Sequence, residues 1–62
     1  MKWVTISGRH INADQVQAFW WEKDKLRIMF ADGEAIFSTA DPNKTNYRRL
    51  CHALGVVPIE GD

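Results

Sequence analysis

The chain has 62 residues, enough for one domain with a thin core, and 45% hydrophobic against 26% charged content suits a folded rather than a disordered chain. Eight basic and eight acidic residues cancel, which excludes a general attraction to nucleic acid or acidic membranes. Cys51 is the single cysteine, so no internal disulfide is available, and stability at this size must come from packing or from a second copy.

The N-terminus, Met1-Lys2-Trp3-Val4, begins as a signal peptide does, but Ser7, Gly8, Arg9 and His10 interrupt any apolar region at once. No stretch approaches the roughly 20 apolar residues that span a bilayer. With a lone cysteine and no signal, the expected compartment is the cytoplasm, and no membrane partner is expected.

The first run, Trp3-Val4-Thr5-Ile6, is rich in strand formers and predicts a strand over 3–7, closed by a Ser7-Gly8 turn. Asn12 and Asp14 suggest an Asx-type turn or a short bridge across Ile11 to Asp14. A second strand follows over 16–22. Charged residues Glu22 to Lys25 form a hairpin loop, and Leu26-Arg27-Ile28-Met29-Phe30 alternates into a third strand over 26–31. Asp32-Gly33 suits a two-residue type I′ turn, which would pair Ala31 with Glu34, Phe30 with Ala35, Met29 with Ile36 and Ile28 with Phe37. A fourth strand over 34–38 results.

Asp41-Pro42 starts a helix, with Asp41 capping free N–H groups and Pro42 in the first turn. Tyr47, Leu50, Cys51 and Leu54 draw one apolar stripe, while Lys44, Arg48, Arg49 and His52 take the other arc. Gly55 ends the helix in a left-handed conformation, with Val56 placed for the usual contact and Pro58 beyond it. The helix is predicted over 42–54, and the tail over 59–62 is expected to be loose. The predicted fold is α+β: a three- to four-stranded antiparallel sheet of hairpins, with one C-terminal amphipathic helix packed on one face. The order of Ile11 to Asp14, hairpin, Asp32-Gly33, strand and amphipathic helix resembles the repeating unit of LytTR-type DNA-binding domains. That likeness is one of element order, without a distinctive motif, and what it implies is DNA binding.

Trp20 and Trp21 are adjacent, so on a strand they point to opposite faces and cannot both enter one core. An even loop between the second and third strands pairs Trp21 with Leu26 and sends Phe19 and Trp21 inward. A three-residue loop, Lys23 to Lys25, sends Val16, Ala18 and Trp20 inward instead. The loop holds no Gly or Asn to decide between them; burial of two aromatics favours the even loop. Either way one indole joins Met29 and Ile36 on the uncovered face, and a contiguous apolar patch of that kind marks a contact site. The expected interface residues are therefore Trp20, Trp21, Met29 and Ile36, with Phe19 exchanging roles if the register is odd. The competing expectation has Trp3, or Val57 and Ile59, folding across that face.

No catalytic constellation is present. Cys51 and His52 are neighbours, but consecutive side chains on a helix diverge by about 100°. No ligand pair among His10, Asp14, Cys51 and His52 has local metal-binding spacing, and the four glycines are isolated from one another, so neither a metal nor a cofactor is expected. The expectation is a non-catalytic interaction module that forms a homo-oligomer or meets a protein partner. The alternative is a small nucleic-acid binder, stacking bases on the sheet aromatics beside Lys23, Lys25 and Arg27 and gripping phosphates with Lys44, Arg48 and Arg49.

Overall fold

The computed structural model describes residues 2–33 and 35–59. Trp3-Val4-Thr5-Ile6 forms β1 (Trp3–Ile6), and Ser7 and Gly8, at φ 51° and 79°, turn the chain straight back into β2 (Arg9–Asn12). Both turn residues have positive φ, as a two-residue type I′ hairpin requires, and Ile6 consequently pairs with Arg9 and Trp3 with Asn12. β2 is the strand that periodicity did not predict, because Ile11 is its one buried residue. Asn12 does form the Asx contact: its Oδ1 accepts the Asp14 N–H at 3.0 Å and caps a 3-10 turn, Ala13–Gln15.

Three further strands follow: β3 (Val16–Glu22), β4 (Lys25–Phe30) and β5 (Phe37–Ala40). They form an antiparallel sheet in the order β3-β4-β5, separate from the β1-β2 sheet, so the described strands make two sheets rather than one. Ile28 pairs with Phe37, as the expected register requires, but the ladder stops there and β5 runs to Ala40 instead of occupying 34–38. Ala35 and Ile36 precede β5, and the expected partner of Ala31, Glu34, lies outside the described residues. The turn also differs. Gly33 N–H donates to the Phe30 carbonyl at 3.2 Å, and Gly33 takes φ 83° while Asp32 does not adopt positive φ. The bend is therefore centred on Ala31-Asp32, and the wider connection to Phe37 removes the need for a type I′ turn.

The helix, α1 (Thr45–Leu54), begins three residues later than predicted. Lys44 is left-handed at φ 60°, and its N–H donates to the Asp41 carbonyl at 3.1 Å, so 41–44 is a turn and Pro42 lies outside the helix. Asp41 still caps: Oδ1 accepts the Asn46 N–H at 3.0 Å and Oδ2 the Tyr47 N–H at 2.8 Å. At the other end Gly55, φ 72°, donates to the His52 carbonyl while Val56 donates to that of Cys51, closing the helix as a Schellman motif.

Tyr47, Leu50 and Cys51 bury the helix stripe against Val4, Ile6, Ile11, Leu26 and Ile28. A ten-residue helix is only about 15 Å long, too short to roof three strands alone. The β1-β2 hairpin shares the roof, which is why one core draws on both sheets. The sheet and helix packing is that of a small α+β domain, and no helix among the described residues is long and apolar enough to cross a membrane. The Ile59 N–H donates to Tyr47 Oη at 2.9 Å, which ties the start of the tail to the helix; 60–62 lie outside the described residues.

The two-residue turn between β3 and β4 carries non-glycine residues at positive φ, Lys23 at 49° and Asp24 at 64°. Asp24→Gly is expected to stabilise the domain by about 0.5–1 kcal/mol, raising the melting temperature by roughly 4 °C. A thermal melt in which the variant unfolds earlier than the parent contradicts this turn geometry.

Candidate functional site

The β3-β4 hairpin decides what the molecule presents. With Lys23 and Asp24 alone in the loop, Glu22 pairs with Lys25, Trp21 with Leu26, Trp20 with Arg27, Phe19 with Ile28 and Ala18 with Met29. The loop is the even one. Leu26 and Ile28 are fully buried, so their cross-strand partners Trp21 and Phe19 share the inner face. Trp20, Arg27, Met29 and Ala18 project from the outer face, away from the helix. A bulge between Val16 and Ala18 then breaks the regular pairing.

Trp21 is fixed from several directions. Its Nε1–H donates to the Asp41 carbonyl at 2.7 Å, and Lys44 Nζ lies 4.8 Å from the ring centroid. Phe19 packs beside Tyr47 with ring centroids 5.7 Å apart and planes tilted by 54°, within the range of favourable aromatic pairs. Both aromatics abut the core, so these two of the five expected interface residues face inward.

Trp20 has a different setting. Its Nε1–H donates to Glu22 Oε1 at 2.7 Å, and Arg27 Nε stands 3.0 Å from the same oxygen. Indole, carboxylate and guanidinium thus form one neutral polar group on the outer face. The contact holds the indole's orientation while leaving Trp20 partly exposed. Met29 is half-buried beside it, Ala18 is exposed, and Ile36 is 43% exposed just before β5. Trp20 and Met29 therefore share the outer sheet surface, with Ile36 at the approach to its edge strand.

The segments expected to compete for this face do not bury themselves on it. Trp3 is 59% exposed, Val57 87% and Ile59 79%. Their exposure was hard to foresee, since apolar residues outside a periodic run carry no facing signal.

The basic residues divide. Lys25 and Arg27 stand on the outer face of β4. On the helix side, Lys44 covers Trp21, Arg48 Nη1 donates to the Asn43 carbonyl at 3.1 Å and Arg49 Nη1 to the Thr5 carbonyl at 3.0 Å. These five cations do not converge on one groove.

A shallow depression of about 280 Å³ lies between β2 and the end of β4, lined by Arg9, His10, Asn12, Gln15, Phe30 and Asp32 among others. It is smaller than typical small-molecule sites. Three of its polar groups are engaged locally. The Arg9 guanidinium lies 4.8 Å from the Phe37 ring centroid, His10 Nδ1 is 3.0 Å from Thr5 Oγ1, and Asn12 caps the 3-10 turn. Cys51 is buried in the helix stripe, and among the described residues no group of three or more His, Cys, Asp or Glu side chains is arranged to hold a metal.

No protein-family model, curated protein or solved structure matches the chain.

The two indoles are expected to respond differently to truncation. Trp21→Phe removes a donor from a part-buried hydrogen bond as well as core surface, and should cost about 2 kcal/mol. Trp20→Phe should cost under about 1 kcal/mol, since Arg27 still accompanies Glu22. Urea unfolding of both variants checks the order, and a larger loss for Trp20→Phe would refute the assignment of faces.

Proposed function

We propose that this chain is a non-catalytic protein-interaction module, whose partner is a second copy of itself, meeting it along the β3 side of the three-stranded sheet. The observation that carries this reading is the composition of β3. It is the end strand of its sheet, seven residues long, reads Val16-Gln17-Ala18-Phe19-Trp20-Trp21-Glu22, and contains no Pro, Lys or Arg. Natural sheets protect end strands with short length, cationic side chains or proline, because an open row of N–H and C=O groups recruits another strand. β3 has only a bulge near its start and one carboxylate at its end.

Partly exposed Trp20 and Met29 add apolar area next to that edge, and a net charge of zero offers no repulsion between copies. The division of the basic residues between two sides of the molecule favours a protein partner over a nucleic acid. A buried cysteine outside any disulfide suits a reducing compartment, and the cytoplasm is the location we assign.

Sedimentation over a range of protein concentrations tests the reading. The parent chain is expected to shift from monomer to dimer as concentration rises. Trp20→Lys, which places a cation on the outer face, should weaken dimerisation at least tenfold (about 1.4 kcal/mol) without altering the far-UV spectrum. A chain that stays monomeric to millimolar concentration would overturn self-association. Retention on single-stranded DNA that falls steeply with salt would replace it with the nucleic-acid reading.

A further inference from the structure

The hydrogen-bonding phase of β3 specifies how two copies would meet. In a two-residue hairpin the pair flanking the loop exchanges both backbone hydrogen bonds, so Glu22 with Lys25, Trp20 with Arg27 and Ala18 with Met29 are hydrogen-bonded pairs. Ala18, Trp20 and Glu22 therefore direct their N–H and C=O groups toward β4. Phe19 and Trp21 direct theirs the other way, toward the open side. Beyond them on that side stand only Gln17, which lies in the bulge, and Lys23, which sits in the turn at φ 49°.

Resting on the self-association reading above, we infer that two copies join by antiparallel pairing of β3 with β3 about a two-fold axis at Trp20, giving a continuous six-stranded sheet. A two-fold interface is self-complementary, so the strand must match its own reversed copy. Registers centred within the Phe19–Trp21 stretch, where the pairing is longest, satisfy the phase in three ways. Centring on Phe19 sets Gln17 opposite Trp21 and needs regular geometry from the bulge. Centring on Trp21 sets Phe19 opposite Lys23 and needs an extended conformation from a turn residue. Centring on Trp20 sets Phe19 opposite the second copy's Trp21, and Trp21 opposite its Phe19. That register forms two doubly hydrogen-bonded pairs from regular strand residues alone.

The side chains agree with this choice. The two Trp20 residues become a non-hydrogen-bonded pair, the closer kind, with both indoles on the outer face. Ala18 stands opposite the second copy's Glu22, so a small residue leaves room for the carboxylate that holds the indole. The two Glu22 residues are then four residues apart along the seam, about 14 Å, and are largely screened from one another. A register that set Glu22 against Glu22 would oppose like charges and is disfavoured. The opposite end strand, β5, is less suited: it has only four residues, and Thr39 Oγ1 is bonded to Ser7 Oγ at 2.6 Å beside the first hairpin.

Disulfide trapping tests the register while leaving Trp20 in place. Cys51 is buried, so the parent chain should give little covalent dimer under mild oxidation. An equimolar mixture of Ala18→Cys and Glu22→Cys should give a covalent heterodimer in most of the protein, because residues 18 and 22 of the two copies lie directly opposite. Either variant alone should remain largely uncrosslinked, its own thiols being four residues out of register. A covalent homodimer of either single variant, exceeding the heterodimer, overturns the register. A parent chain that sediments as a dimer while the mixture fails to crosslink also overturns it, and leaves self-association standing. A parent chain that never dimerises removes both.

Discussion

The carboxylate and backbone of Asp41 tie together the helix start, β3 and the β3-β4 turn. Its carboxylate accepts the N–H groups of Asn46 and Tyr47 at the start of the helix, its carbonyl accepts the Trp21 indole, and its own N–H donates to the Asp24 carbonyl at 2.8 Å. Asp41 is 2% exposed, and a buried carboxylate without such donors would be costly. Here it is satisfied by backbone groups that a helix start would otherwise leave unpaired, in the place where negative charge suits the helix dipole. One residue thus fastens the β3-β4 turn, β3 and α1 to one another.

That fastening has a consequence on the far side of the sheet. With Trp21 held to Asp41, strand alternation forces Trp20 outward, and a one-residue slip would have to break the Asp41 contact as well as move Phe19 from Tyr47. The inner face gains two aromatics that a domain of this size needs. The outer face receives Trp20, which finds Glu22 and Arg27 rather than a second layer of structure. The same pairing fixes which backbone groups of β3 face open space, so core packing and the proposed contact between copies follow from one register.

Much of this architecture was legible in the chain. Alternation over Leu26, Ile28 and Phe30, the stripe of Tyr47, Leu50 and Cys51, and the stop at Gly55 each correspond to a periodicity or a cap with a local cause. The pairing of Ile28 with Phe37 was also readable, although the turn that achieves it bends one residue earlier than the Asp-Gly signal suggested. β2 was not readable, because Arg9-His10-Ile11-Asn12 buries only Ile11 and its strand conformation is imposed by pairing with β1. The helix start was displaced because Asp41 reaches across a turn to cap it, an arrangement that adjacent-residue rules do not anticipate. Loop parity at Lys23-Asp24, on which the fate of the two indoles depends, had no local marker. Neither residue favours positive φ strongly, and the loop is set by what Trp21 gains inside. For the candidate surface, the sequence pointed to Trp20, Met29 and Ile36, but it could not separate them from Trp21 and Phe19 without that parity.

The inequivalence of the two adjacent indoles can be measured directly by hydrogen exchange of the three tryptophan Nε1–H groups, followed by NMR at a concentration where the chain is monomeric. The Trp21 group is expected to exchange most slowly, because it is bonded to Asp41 against the core. Trp20, bonded at the surface to Glu22, should be intermediate, and Trp3 should be fastest. A Trp20 group that outlasts that of Trp21 in the monomer would mean that the strand is turned the other way, and would contradict the account at its base.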